Sequence, residues 1–112
     1  LGFTPIVSPI SLGGDGRPYN VNADHAALAL AGALGVEEMI FLTDVPGVML
    51  DGEVLPALNA DGALALIDSG DITGGMIPKT RSALRALEHG VGTVRITDID
   101  GLGAGTGTRV RV

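Results

Sequence analysis

Residues 26 to 42 restrict the possible folds more than any other stretch. Ala26-Ala27-Leu28-Ala29-Leu30-Ala31-Gly32-Ala33-Leu34 reads as a helix body without a polar face, and a helix apolar on every side belongs in a protein interior. Soon after comes Met39-Ile40-Phe41-Leu42, an unbroken apolar run. Such a run behind a helix is the mark of a central strand in a parallel sheet covered on both faces.

The remaining elements fit the same plan. Phe3 to Ile10 is short, apolar and β-branched, which suits a buried strand. Gly13 to Pro18 is dense in turn residues and predicts a hairpin tip or exposed loop, with Tyr19 to Asn22 returning as a short extended segment. Asn22 is a candidate N-cap for a helix from Ala23 to Leu34 that Gly35 closes. Val48 to Leu50 and Val54-Leu55 flank Asp51-Gly52, a tight-hairpin pair. Asn59 should cap a helix through about Ser69. A further helix, opened by Gly75 and running to about His89, should bury Ile77, Leu84 and Leu87. Val94 to Ile96 and Val110 to Val112 read as strands around a loop from Asp98 to Gly107. Strands alternating with helices predict an α/β fold, a three-layer sandwich with a mostly parallel central sheet.

Composition narrows the function. A chain of 112 residues with 46% hydrophobic and 18% charged residues can build one domain with a core. Aromatics are only 3%, which argues against stacking platforms for single-stranded nucleic acid. A net charge of −6 argues against nucleic acid and membrane surfaces as partners. No cysteine is present, so thiolate chemistry and disulfides are excluded, in keeping with a cytoplasmic location. The longest apolar stretch, Ala26 to Val36, is too short to span a bilayer. The start at Leu1 has neither initiator methionine nor basic leader, and the chain reads as a piece of something longer.

Three polar clusters should gather at the strand carboxyl ends, where open α/β sheets bind ligands. The first is Asn20-Val21-Asn22-Ala23-Asp24. Capping by Asn22 and a favourable dipole contact for Asp24 account for part of it. Three short polar residues in five positions exceed what capping needs. The second is Thr43-Asp44-Val45-Pro46-Gly47-Val48-Met49, where Asp44 either accepts hydrogen bonds from a ligand or only starts a turn. The third is Asp71-Ile72-Thr73-Gly74-Gly75, leading through Met76-Ile77-Pro78 to Lys79. A helix N-terminus attracts anions and disfavours a lysine. Lys79 therefore either extends into water or shares the site with an anion, of which phosphate is the foremost candidate. His25 and His89 do not form a metal pattern.

In this order and spacing, Asn20 to Asp24, Leu42 to Val48 and Gly74 to Lys79 resemble the acetylglutamate kinases of the amino acid kinase family. The likeness runs from Gly2 to about Arg109 and corresponds to that family's C-terminal, nucleotide-binding half; residues 1–112 would form that half, with the N-terminal, substrate-binding half absent. The resemblance implies ATP-dependent phosphorylation of the side-chain carboxylate of N-acetyl-L-glutamate in arginine biosynthesis. It further implies Asn20 against the acyl-amino-acid substrate, Asn22 behind that pocket, Asp24 orienting catalytic lysines, and Lys79 neutralising the transferring phosphoryl group. Asp44, Val45, Pro46, Gly47, Val48 and Met49, with Asp71, Ile72, Thr73, Gly74 and Gly75, would line the ATP site. Mg2+ would be held through ATP phosphates, with no residue assigned as a metal ligand, and the full-length protein would be a homo-oligomer. The family's second lysine and first-strand glycine loop are not among these residues. A non-catalytic nucleotide-binding or assembly module, or a kinase for a carrier-protein-bound aminoadipate or glutamate, is the alternative.

Overall fold

The computed structural model describes residues 2–112. Its centre is a four-stranded sheet in the order β3 (Glu38–Leu42), β7 (Thr93–Thr97), β8 (Thr108–Arg111), β6 (Ala57–Asn59). Strands β3 and β7 run parallel, with Phe41 beside Ile96; β6 and β8 are parallel, and β7 and β8 antiparallel. Two of three pairings are thus parallel, and the fold is α/β.

Three helices lie on one face. Helix α1 (Ala23–Leu34) packs on α3 (Met76–Glu88), and α2 (Ala60–Asp68) packs beside α3 and next to β6. Met39, Phe41, Val94, Ile96 and Val110 point from the sheet into this layer, against Leu28, Ala31, Ala83, Ala86 and Leu87. Strand alternation sends Glu38, Ile40, Arg95 and Thr97 to the other face. There the short helix α4 (Ile99–Ala104) sits against Thr97, so close that a Cβ on Gly101 would collide with the threonine hydroxyl. The buried Arg95 guanidinium reaches Glu38 at 3.6 Å and the Thr106 carbonyl at 3.5 Å.

Two hairpins complete the chain. Strands β1 (Ile10–Leu12) and β2 (Pro18–Asn20) pair only with each other among the described residues and are exposed along their length. Strands β4 (Met49–Leu50) and β5 (Glu53–Val54) turn through Asp51-Gly52, both at positive φ (52° and 81°), as an Asp-Gly type I′ turn demands.

Four expectations are corrected. Phe3 to Ile10 is not a buried strand: residues 2–8 are exposed, with Phe3 at 90%, and only Ile10 joins β1. Pro5 and Pro9 lack amide donors, which weakens pairing there. Helix α1 is not enclosed; Leu28 and Ala31 are buried, while Leu30 and Leu34 are exposed. Strand β3 is parallel but lies at the sheet edge, so Met39 and Phe41 are buried while Ile40 and Leu42 are open. The segment Asp98 to Gly107 is a capped turn of helix rather than a loop, with the Asp98 carboxylate accepting from the Gly101 amide at 2.7 Å.

Gly107 tests how tightly β8 enters the sheet. Its φ is 124°, and a Cβ there would lie 2.5 Å from the Ile96 carbonyl oxygen. Gly107→Ala is expected to lower unfolding free energy by about 2 kcal/mol or more in urea titration.

Candidate functional site

Helices α1 and α3 begin side by side, and they begin differently. Asn22 caps α1, its Oδ1 accepting from the His25 amide at 3.2 Å, and Asp24 follows where the helix dipole favours a carboxylate. Among the described residues no side chain caps α3, which opens from Gly75, and Gly74 before it turns at φ 58°. Nothing lies within 4 Å of where a Cβ would stand on either glycine.

Lys79, the fourth residue of α3, crosses the gap. Its Nζ donates to Asp24 Oδ2 at 3.1 Å and Oδ1 at 3.3 Å, and lies 5.3 Å from the centroid of the Phe41 ring. The lysine and aspartate side chains retain 25% and 32% of their exposure, so the pair is reachable from solvent. An ion pair this open contributes about 0–1 kcal/mol, about what a lysine loses at a helix N-terminus. Its consequence is therefore positional rather than stabilising.

The pair borders a cleft of about 460 Å³. One wall is Thr43, Asp44, Val45, Gly47, Val48 and Met49; the other is Asp71, Ile72, Thr73, Gly75, Met76 and Lys79. Of the residues expected around a nucleotide, Pro46 and Gly74 stand outside this lining, and Thr43 and Met76 join it. Asp24 touches the cleft only through Lys79. Asn20 is exposed on β2, opposite Ile10, and the Asn22 side chain serves the α1 cap.

Each wall is tied to the core by identifiable bonds. The Thr43 amide donates to the Thr97 carbonyl at 2.9 Å, continuing the β3–β7 ladder. Thr108 Oγ1 accepts from the buried Val48 amide at 2.8 Å and donates to the Leu55 carbonyl at 2.6 Å. Gly47 passes so near that a Cβ would lie 2.7 Å from the same oxygen. On the opposite wall, Ile72 is buried with its amide on the Leu66 carbonyl at 3.0 Å, and Asp71 accepts from the Ser69 hydroxyl at 2.6 Å. Sequence reasoning passed over Thr108 and Phe41. Neither carried a local signal: Thr108 follows a glycine-rich segment, and Phe41 lies within an apolar run.

The topology and the paired helix starts place the chain among α/β domains whose ligand cleft opens at strand ends. More narrowly, the amino acid kinase family profile matches residues 1–98, and the chain belongs to that family. It is 54% identical over 98 residues to acetylglutamate kinase of Roseiflexus castenholzii, across 88% of this chain and 38% of that protein. Among solved structures it is similar to N-acetylglutamate synthase of Neisseria gonorrhoeae complexed with coenzyme A and N-acetyl-glutamate. That match has a TM-score of 0.82 at 27% identity, over 93% of this chain and 26% of the other. Carbamate kinase of Giardia lamblia bound to AMP-PNP matches with a TM-score of 0.68 at 26% identity, over 85% and 38%. The chain spans about two-fifths of the length of the curated relatives it matches first.

Thr108→Val removes the clip while keeping the shape. It leaves the Val48 amide buried without a partner, and is expected to cost about 1–3 kcal/mol of unfolding free energy by thermal or urea denaturation.

Proposed function

We propose that this chain is the nucleotide-binding half of an acetylglutamate kinase, supplying the ATP site and one catalytic lysine. The observation that carries the reading is the contact between Asp24 and Lys79, which brings the starts of α1 and α3 to one cleft. The acetylglutamate kinase relatives support the choice of substrate, and the AMP-PNP-bound relative supports a nucleotide.

The cleft residues fit a triphosphate on chemical grounds. A volume of about 460 Å³ lies within the range of small-molecule sites. Gly74 and Gly75 leave the α3 start unobstructed, where a phosphate is favoured, and Lys79 supplies positive charge beside it. In this reading Val45 and Met49 offer apolar surface to the base over the buried Val48, with Asp44 as a hydrogen-bond acceptor. Among the described residues no three histidine or acidic side chains converge, and the reading keeps Mg2+ on phosphate oxygens, where it would offset their charge.

In the reaction, a side-chain carboxylate oxygen of N-acetyl-L-glutamate forms a bond to the γ-phosphorus. The bond from that phosphorus to the β,γ-bridging oxygen breaks, and ADP departs with the electron pair. Such transfer needs positioning and charge neutralisation more than covalent participation by the protein. Lys79 neutralises charge on the moving phosphoryl group, Asp24 keeps the ammonium aimed, Asn20 holds the acyl-amino acid, and Asn22 backs that pocket.

Calorimetry of the chain with ATP and Mg2+, alone and with N-acetyl-L-glutamate, tests this. Nucleotide binding is the expected result; binding of neither ligand overturns the reading, and nucleotide binding by a full-length polypeptide without turnover favours a non-catalytic module. In a polypeptide of the relatives' full length, Lys79→Ala should reduce turnover at least about a hundredfold. Asp24→Asn should lower turnover more than it lowers ATP affinity.

A further inference from the structure

We propose that Phe41 is a positioning residue for Lys79, holding the ammonium at the cleft by its ring face without cancelling the charge. The inference rests on the reading of Lys79 as the phosphate-facing cation. It starts from a conflict in the pair described above. Asp24 anchors the lysine, yet a carboxylate at 3.1 Å offsets much of the positive field that a triphosphate would experience. A support carrying no net charge escapes this. The face of an aromatic ring attracts a cation through its quadrupole, whose field fades quickly with distance, so the ammonium is held while its charge still acts on an anion further out.

The geometry suits that role. Lys79 Nζ lies 5.3 Å from the Phe41 centroid, within cation–π range. Phe41 is 4% exposed and belongs to the core cluster, and β3 fixes its backbone in register with β7. The ring is thus an immobile floor. Lys79 ends a flexible stem and is free to turn from the Asp24 oxygens toward a phosphate while keeping that floor beneath it. Core packing alone asks only for an apolar side chain of similar volume at this position; the proposal asks for an electron-rich ring.

The sequence makes the test clean. Lys79 is the chain's one lysine, and Phe41 shares the phenylalanine label only with Phe3, which is 90% exposed. In a Phe3→Leu background, Phe41 is the sole phenylalanine. With lysine labelled with carbon-13 at Cε, the single ε-methylene signal should be displaced upfield by the ring current and should return to its ordinary position in Phe41→Leu. Replacing phenylalanine by 3,4,5-trifluorophenylalanine nearly preserves shape but drains the ring face. It should weaken MgATP binding by about two- to fivefold in calorimetry, with monofluorophenylalanine falling between. An undisplaced lysine signal in the nucleotide-free chain overturns the proposal, as does equal MgATP affinity across the fluorinated series. Failure of the unmodified chain to bind MgATP overturns the nucleotide reading itself, while the lysine signal still reports whether Phe41 holds the ammonium.

Discussion

One ion pair joins two helices whose dipoles treat its members in opposite ways. The start of α1 favours Asp24, and the start of α3 disfavours Lys79. Together they lie 3.1 Å apart on neighbouring helix ends. If stability alone shaped this point, an acidic or neutral side chain in the first turn of α3 would serve better. The first turn of α3 instead contains no acidic residue, and among the described residues no side chain caps it. A helix start left open and paired with a lysine is suited to receive an anion, and the surrounding elements hold that arrangement in place.

The holding works through the sheet. Strands β3 and β7 run in register, and the Thr43 amide extends their ladder by one bond before the chain turns into the cleft wall. From the antiparallel neighbour β8, Thr108 reaches the same wall with a single hydroxyl that accepts one bond and donates another. A residue far from the cluster in sequence therefore sets the depth of the loop from Thr43 to Met49. On the far wall, Ile72 anchors through the core, whereas Asp71, Thr73 and Gly75 around it remain exposed. Rigid backing with exposed polar tips is the arrangement a binding loop needs.

Local chemistry was readable from the residues. Asn22 and Asn59 cap where short polar side chains precede apolar helices, Gly35 takes the left-handed conformation after α1, and Asp51-Gly52 turns a hairpin. These depend on neighbours within four positions. Burial was less readable, because it depends on what packs from elsewhere. The all-apolar α1 exposes Leu30 and Leu34, and the apolar run of β3 alternates between core and open face, since helices cover only one face of this edge strand. The short strand β6 and the helix α4 also went unread: three residues give too little period, and Gly101 and Gly103 disguise a helical turn held by the Asp98 cap and by packing on Thr97. In the candidate site, the clustering of Asp44, Asp71 and Lys79 was legible from residue type and order. The contributions of Thr108 and Phe41 were not, because each depends on an element distant in sequence, Thr108 on the Val48 and Leu55 backbone and Phe41 on α3.

The two sides of the proposed reaction are unequally built in this chain. The walls of the nucleotide cleft are fixed by bonds and packing that close within the described residues, through Thr97, Thr108, Leu66 and Ile72. The asparagines assigned to the acyl-amino acid lie on other ground. Among the described residues Asn20 is exposed on a hairpin that pairs only with itself, and the Asn22 side-chain Oδ1 is engaged in the helix cap, leaving its Nδ2 for a ligand. In the proposed function, nucleotide affinity is accordingly set by Lys79 and the two walls. Recognition of the acyl-amino acid in that function instead involves a contact made by the exposed β1–β2 hairpin. The exposed Ile10, Leu12 and Tyr19 on that hairpin supply apolar surface for such a contact. The division within the chain, in the proposed function, thus falls between a cleft whose walls are fixed among the described residues and a substrate side carried by an exposed hairpin.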